Sequence, residues 1–187
     1  IRTDDIAIRD VVNFAKDSDK IVGKNSFLVL DAVAAALVHH PEIFQIEMQK
    51  IFHRGWVYVG HESEIPQPGD YMLKWIGMQS VIMNRDDKGK LHLFLNRCRH
   101  RANSVCQFEQ GNSAFFRCSY HGWTYKNSGE LIGVPFKDGA YGADFRTQEF
   151  PLVEARMGVY RGFIWGNLRA DGISLEEHLG PSAKKAM

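Results

Sequence analysis

Two short segments carry most of the chemistry legible in this chain: Cys98-Arg99-His100 and Cys118-Ser119-Tyr120-His121. Each sets one thiol beside one imidazole, and seventeen residues, 101–117, separate them. Together they form a donor set of two sulfurs and two nitrogens, which suits an iron–sulfur cluster, zinc or copper. The order of the donors narrows the choice. A zinc finger usually groups its cysteines in one pair and its histidines in another, whereas each pair here holds one of each. Two facing loops of this kind can deliver both cysteines to one metal of a two-metal cluster and both histidines to the other. Neutral imidazoles in place of thiolates make such a cluster less negative and raise its potential above that of an all-cysteine one, across about −150 to +300 mV.

Loops that hold metal donors need strands to aim them. The pattern predicts strands at 56–60, 71–76, 80–84, 91–96, 114–117, 130–134 and 159–168. Pro66, Pro68 and Gly69 break the first pair, Asp86-Asp87-Lys88-Gly89 makes a hairpin loop, and Asn127-Ser128-Gly129 makes a turn. The first donor loop then leaves a strand at Asn96, and the strand 114–117 feeds Cys118. Short strands at this spacing predict an antiparallel β domain. Upstream, Pro41 fits the first position of a helix whose apolar face is Ile43, Phe44, Met48, Ile51 and Phe52. Residues 1–26 are read as a helix, and the apolar run 27–38 as a packed element. That run is too short to span a membrane, and Asp31 interrupts it. At the other end, Ser174-Leu175-Glu176-Glu177 has the form of a capping box and starts a helix.

With those residues in view, Asn96-Arg97-Cys98-Arg99-His100-Arg101 and Cys118-Ser119-Tyr120-His121-Gly122-Trp123-Thr124-Tyr125 resemble the Rieske motifs of aromatic-ring-hydroxylating dioxygenase α subunits. The flanks resemble that family too: Gly129 to Pro135, Gly162 to Gly166, Pro41 to Phe52 and Trp56 to Glu62, so the likeness runs over roughly 38–180. The resemblance implies a mainly β fold: a Rieske-type antiparallel β domain over 56–168, an N-terminal helical segment over 1–55, and a connection with the start of a helix over 169–187. It makes Cys98, His100, Cys118 and His121 the ligands of a 2Fe-2S cluster, with Arg101, Tyr120, Gly122, Trp123 and Tyr125 around it. The family usually has glycine where this chain has Ala102, so a loop needing positive φ there would be strained by alanine.

The resemblance also implies partners. Electrons come from NAD(P)H through a reductase, often with a ferredoxin, and leave for a mononuclear non-haem Fe(II) on a neighbouring α subunit, where an arene becomes a cis-dihydrodiol. His121 would face that iron through a bridging carboxylate. The long lead before Cys98 is similar to α subunits that assemble with a small β subunit. The mononuclear iron needs two histidines and a carboxylate, yet only His178 follows His121. The expectation is therefore a truncated α subunit, holding the Rieske domain without its catalytic domain. Respiratory Rieske proteins carry an extra cysteine in each loop and a serine after His-Gly. Ser119 or Tyr120 and Trp123 stand in the corresponding places here, which points to the low end of the potential range.

Composition fits a soluble globular domain, at 44% hydrophobic and 24% charged residues. A net charge of +1 gives no reason to invoke nucleic acid. Of three cysteines, Cys106 is left over and reads as a small packed residue; with no disulfide expected, the chain suits the cytoplasm. Trp123 and Tyr125 are either shields for the cluster or ordinary core aromatics. Arg99 and Arg101 either steer an acidic redox partner or are solvated charges. His39, His40, His53, His61, His92 and His178 show no partner at metal spacing and read as structural or exposed. Two other functions stay open: a free-standing Rieske ferredoxin, which would lack the long lead, and a zinc-stabilised binding module.

Overall fold

The computed structural model describes residues 41–186; the helix expected over 1–26 and the packed run 27–38 lie outside them. Pro41 does open a helix, α1 (Pro41–Glu47), whose last residues widen into a π-helical turn, Met48–Phe52. Its expected apolar face is only partly formed: Met48 is buried, but Phe44 and Ile51 are exposed. A π turn advances each residue by less than 100°, so side chains beyond Glu47 leave the stripe that a 3.6-residue period would draw.

Ten strands follow, paired antiparallel in three sheets: β1 (Val57–His61), β2 (Asp70–Ile76), β3 (Gln79–Arg85), β4 (Leu91–Leu95), β5 (Gln110–Asn112), β6 (Phe115–Arg117), β7 (Thr124–Lys126), β8 (Leu131–Gly133), β9 (Arg156–Tyr160) and β10 (Phe163–Asn167). The sheets run β1-β10-β9, β4-β3-β2-β5 and β6-β7-β8. The fold is thus the expected mainly antiparallel β domain. The single strand expected over 159–168 is instead a hairpin. Phe163 pairs with Tyr160 across a two-residue loop, Arg161-Gly162, and both loop residues have positive φ (51° and 84°). That is the turn whose twist suits a hairpin, although arginine rarely takes its first position.

In the four-stranded sheet β3 and β4 are buried on both faces, and their alternation divides the interior. On β3, Val81 and Met83 point into one core with Val59, Ile76, Leu93 and Ile164, between this sheet and β1-β10-β9. Ile82 points the other way, into a second core with Phe94, Phe116, Trp123, Tyr125 and Leu131 beneath the third sheet. A period of two sends alternate residues to opposite faces, so one strand serves both cores. Gly166 lets the first two sheets close: a Cβ there would sit 2.5 Å from Ile76 and 2.6 Å from Leu93. The C-terminal helix α2 (Leu175–Ala186) starts at the expected capping box, Ser174 with Glu177, packs Leu175 and Leu179 on Trp56, and kinks at Gly180 before Pro181. Among the described residues no helix is long and apolar enough to cross a membrane.

A polar clamp around the buried His92 fixes β4, the strand that leads to the first donor loop. His92 lies between two carboxylates, with Nε2 3.1 Å from Asp86 and Nδ1 2.9 Å from Glu154, and stacks on Phe94. Burial opposes the Asp86 carboxylate, but the His92 ring and the Lys90 and Lys88 amides outweigh it and hold the group below its ordinary value. The stability it contributes is therefore complete above the ordinary carboxylate range and is lost as pH falls through the lowered folded-state value. Urea unfolding of Asp86→Asn is expected to show a loss of about 2 kcal/mol at neutral pH. It should also show a shallower decline in acid than the parent; parallel acid limbs would remove Asp86 from this role.

Candidate metal centre

The two Cys–His segments occupy loops of the same design. In the first, the Cys98 amide donates to the Asn103 carbonyl (2.8 Å) and the Ala102 amide to the Cys98 carbonyl (2.9 Å). In the second, the Cys118 amide donates to the Trp123 carbonyl (2.9 Å) and the Gly122 amide to the Cys118 carbonyl (3.0 Å). The fourth residue after each cysteine has positive φ, 58° at Ala102 and 72° at Gly122. The left-handed turn that the glycine-to-alanine departure put in question is therefore made, by alanine, in the first loop. Asn96 anchors that loop: its Oδ1 accepts the Val105 and Cys106 amides, and its Nδ2 donates to the Cys106 carbonyl.

The loops sort the donors by kind. Cys98 and Cys118 are buried in the core beneath the third sheet, 5% and 2% exposed. His100 and His121 lie together nearer the surface, ring centroids 4.6 Å apart, with His121 exposed. The His100 ring stacks flat on Trp123 (5.1 Å, 9°), and the Trp123 indole N–H donates to Tyr141. His100 Nδ1 is buried without a hydrogen-bond partner, a cost that a metal ion at that nitrogen would remove. Burial, then His121 and Arg101, hold the His100 ring below its ordinary imidazole value, which keeps it neutral as a ligand must be. Two sulfurs inside and two nitrogens outside are the division of donors that a two-metal cluster takes.

Tyr125, fully buried on β7, ties the sulfurs to the scaffold. Its hydroxyl accepts the Arg99 amide (3.0 Å) and lies 3.3 Å from Cys98 Sγ. Burial first, and the Cys98 sulfur second, push that hydroxyl well up, so it keeps its proton and can donate to the sulfur. The Cys98 thiol is itself pushed up by burial, against the pull of Tyr125 and the His100 amide; a bound metal would displace its proton. Trp123 and Tyr125 are buried core aromatics that also touch the donor residues, Trp123 stacked on His100 and Tyr125 against Cys98. Of the other expected neighbours, Tyr120 is exposed with its ring against His121, and Arg101 lies over Tyr120. Cys106 is packed, donating to the Phe108 carbonyl. Two contributors lie outside the motifs, Tyr141 and Asn103, and the anchoring role of Asn96, which opens the first motif, carried no signal of its own.

The Rieske [2Fe-2S] domain profile matches residues 55–151. The chain is 43% identical over 139 residues to the N,N-dimethyl phenylurea N-demethylase subunit alpha of Sphingobium sp. (strain YBL2), covering 74% of this chain and 30% of that protein. It is 43% identical over 148 residues to the toluate 1,2-dioxygenase subunit alpha of Pseudomonas putida, covering 77% and 32%. Among solved structures, naphthalene 1,2-dioxygenase from Rhodococcus sp. bound to indole matches at a TM-score of 0.77 and 39% identity, over 93% of this chain and 38% of that one. The chain spans about a third of the length of the curated relatives it matches.

The equivalent positions 102 and 122 should respond to substitution with opposite signs. A left-handed alanine costs about 1–2 kcal/mol, partly offset by the chain entropy that glycine would lose. Ala102→Gly is expected to raise unfolding stability by about 0.5–1 kcal/mol. At Gly122 a Cβ would also press on Pro135 at 3.0 Å, so Gly122→Ala should cost about 2 kcal/mol. Chemical denaturation of both variants reads this directly, and equal signs would mean that the loops do not share one turn.

Proposed function

The chain belongs to the Rieske [2Fe-2S] domain family, and we propose from this that it is the electron-transfer unit of a ring-hydroxylating oxygenase α subunit. Its Rieske domain, taken as 56–168, holds a 2Fe-2S cluster through Cys98, Cys118, His100 and His121. The observation that carries this reading is the sorting of donors: both thiols buried, both imidazoles together at the outer edge. When bound, the cluster supplies reversible one-electron chemistry. The chain's own residues do the rest. Cys98 and Cys118 keep the inner side dry, Tyr125 and the His100 amide donate to Cys98, and Trp123 holds the His100 ring flat. The exposed His121 ring is free to donate its outer N–H to a partner's carboxylate.

In the whole enzyme, electrons from NAD(P)H pass through a reductase, with or without a ferredoxin, to this domain in the cytoplasm. They then pass to a mononuclear non-haem iron on a neighbouring α subunit, where an aromatic ring is cis-dihydroxylated; a small β subunit completes the assembly. The surface around the site supports docking of an acidic partner. Arg97, Arg99, Arg101 and Arg117 are all exposed, and no acidic residue occurs in 97–107 or 110–126. Phe136 is 86% exposed, in a left-handed conformation (φ 56°), and follows the Pro135 that packs on Gly122.

Two measurements test these readings. The protein purified without oxygen and reduced with dithionite should give a red-brown solution and a Rieske-type EPR signal, lost in Cys98→Ser and Cys118→Ser. A colourless protein with stoichiometric zinc and no signal after anaerobic reconstitution would replace electron transfer with the zinc module. In stopped-flow reduction by an acidic ferredoxin, charge reversal of Arg101 and Arg117 to glutamate should slow uptake about tenfold at low salt and remove most of its salt dependence. A rate unchanged by reversal would place the partner elsewhere.

A further inference from the structure

The two sulfurs receive side-chain hydrogen bonds from opposite loops. Tyr125, just after the second loop, reaches Cys98 in the first. Asn103, at the end of the first loop, reaches into the second: its Nδ2 lies 3.7 Å from Cys118 Sγ, 3.5 Å from Ser119 Oγ and 3.1 Å from the Ser104 carbonyl. A distance of 3.7 Å is long for oxygen but ordinary for the larger sulfur atom. The amide orientation follows from its neighbours, since a flipped Asn103 would turn its carbonyl oxygen onto another carbonyl. A second tie holds the register, because Gln107, four residues beyond the first loop, donates to Ser119 Oγ at 2.5 Å.

We propose that Asn103 is a positioning residue that donates across the loop interface to Cys118 and thereby raises the reduction potential of the cluster. This rests on the cluster reading above. Reduction adds negative charge that the sulfurs share. An N–H aimed at one sulfur therefore favours the reduced form, and does so strongly because Cys118 is 2% exposed and poorly screened by water. The arrangement is crosswise: each loop's sulfur is served by a side chain from outside that loop, so the sulfurs keep their donors only while the loops stay together. Asn103 lies outside both Cys–His pairs and has no role in ligation.

The test uses the full chain reconstituted anaerobically, with cluster content from iron and sulfide analysis and the potential from EPR-monitored titration. Asn103→Leu keeps the size and removes the donor. It should retain the cluster and shift the oxidised-to-reduced balance about tenfold toward oxidised, a fall of 59 mV for one electron. Asn103→Asp, of the same shape but without the N–H and with a negative charge, should fall further. Tyr125→Phe acts on the other sulfur, so its shift should add to that of Asn103→Leu. A fully loaded Asn103→Leu at the parent potential overturns the proposal. So does reduced loading with the remaining clusters at the parent potential, or failure of both Asn103 variants to load, since Asn103 would then be only a structural prop. A parent chain that takes up no cluster instead overturns the cluster reading itself.

Discussion

In the proposed cluster site the two thiols are kept dry while the two imidazoles stay nearer the surface, and one repeated backbone turn produces both placements. In each loop the cysteine amide and carbonyl are closed onto residues five and four positions ahead, and the left-handed residue at the fourth position turns the chain back. The cysteine is thereby pinned at the base and the histidine is carried to the tip. Two such turns set face to face give the inner sulfur pair and the outer nitrogen pair. The three sheets serve largely to bring those turns into register.

The middle sheet shows how. β3 and β4 put alternate side chains into both cores, so packing against the outer sheet and packing beneath the donor loops are one mechanical problem. Leu93 and Phe94, adjacent on β4, fall in different cores, two residues before Asn96 begins to organise the first loop. The His92 clamp, stacked on Phe94, holds the same strand from the polar side. Close packing transmits displacement, so a change in the outer core would be felt at Cys98.

Local signals carried much of this in the sequence, and contacts between distant segments did not. The candidate donors stood out because each pair lies within four residues, and most strands were legible because alternation and turn residues mark them. The hairpin β9–β10 was missed because Val159-Tyr160-Arg161-Gly162-Phe163-Ile164 reads as one apolar run, and arginine is no signal for a two-residue turn. β7 was missed because its three residues continue the second motif, and β5 because Gln110-Gly111-Asn112 has no strand propensity; pairing with β2 makes it a strand. The face of α1 failed where the helix changed period. Asn96 and Asn103 act through hydrogen bonds that no periodicity encodes, and Tyr141 through a contact eighteen residues away from Trp123.

The two turns share a pattern but not a cost, because one closes on glycine and the other on alanine. That difference makes the pair unequal. The turn around Gly122 costs glycine's chain entropy, while the turn around Ala102 carries left-handed strain that exceeds it by about 0.5–1 kcal/mol. The alanine turn is therefore the weaker of the two hinges, and Cys98 and His100 are the donors that hang on it.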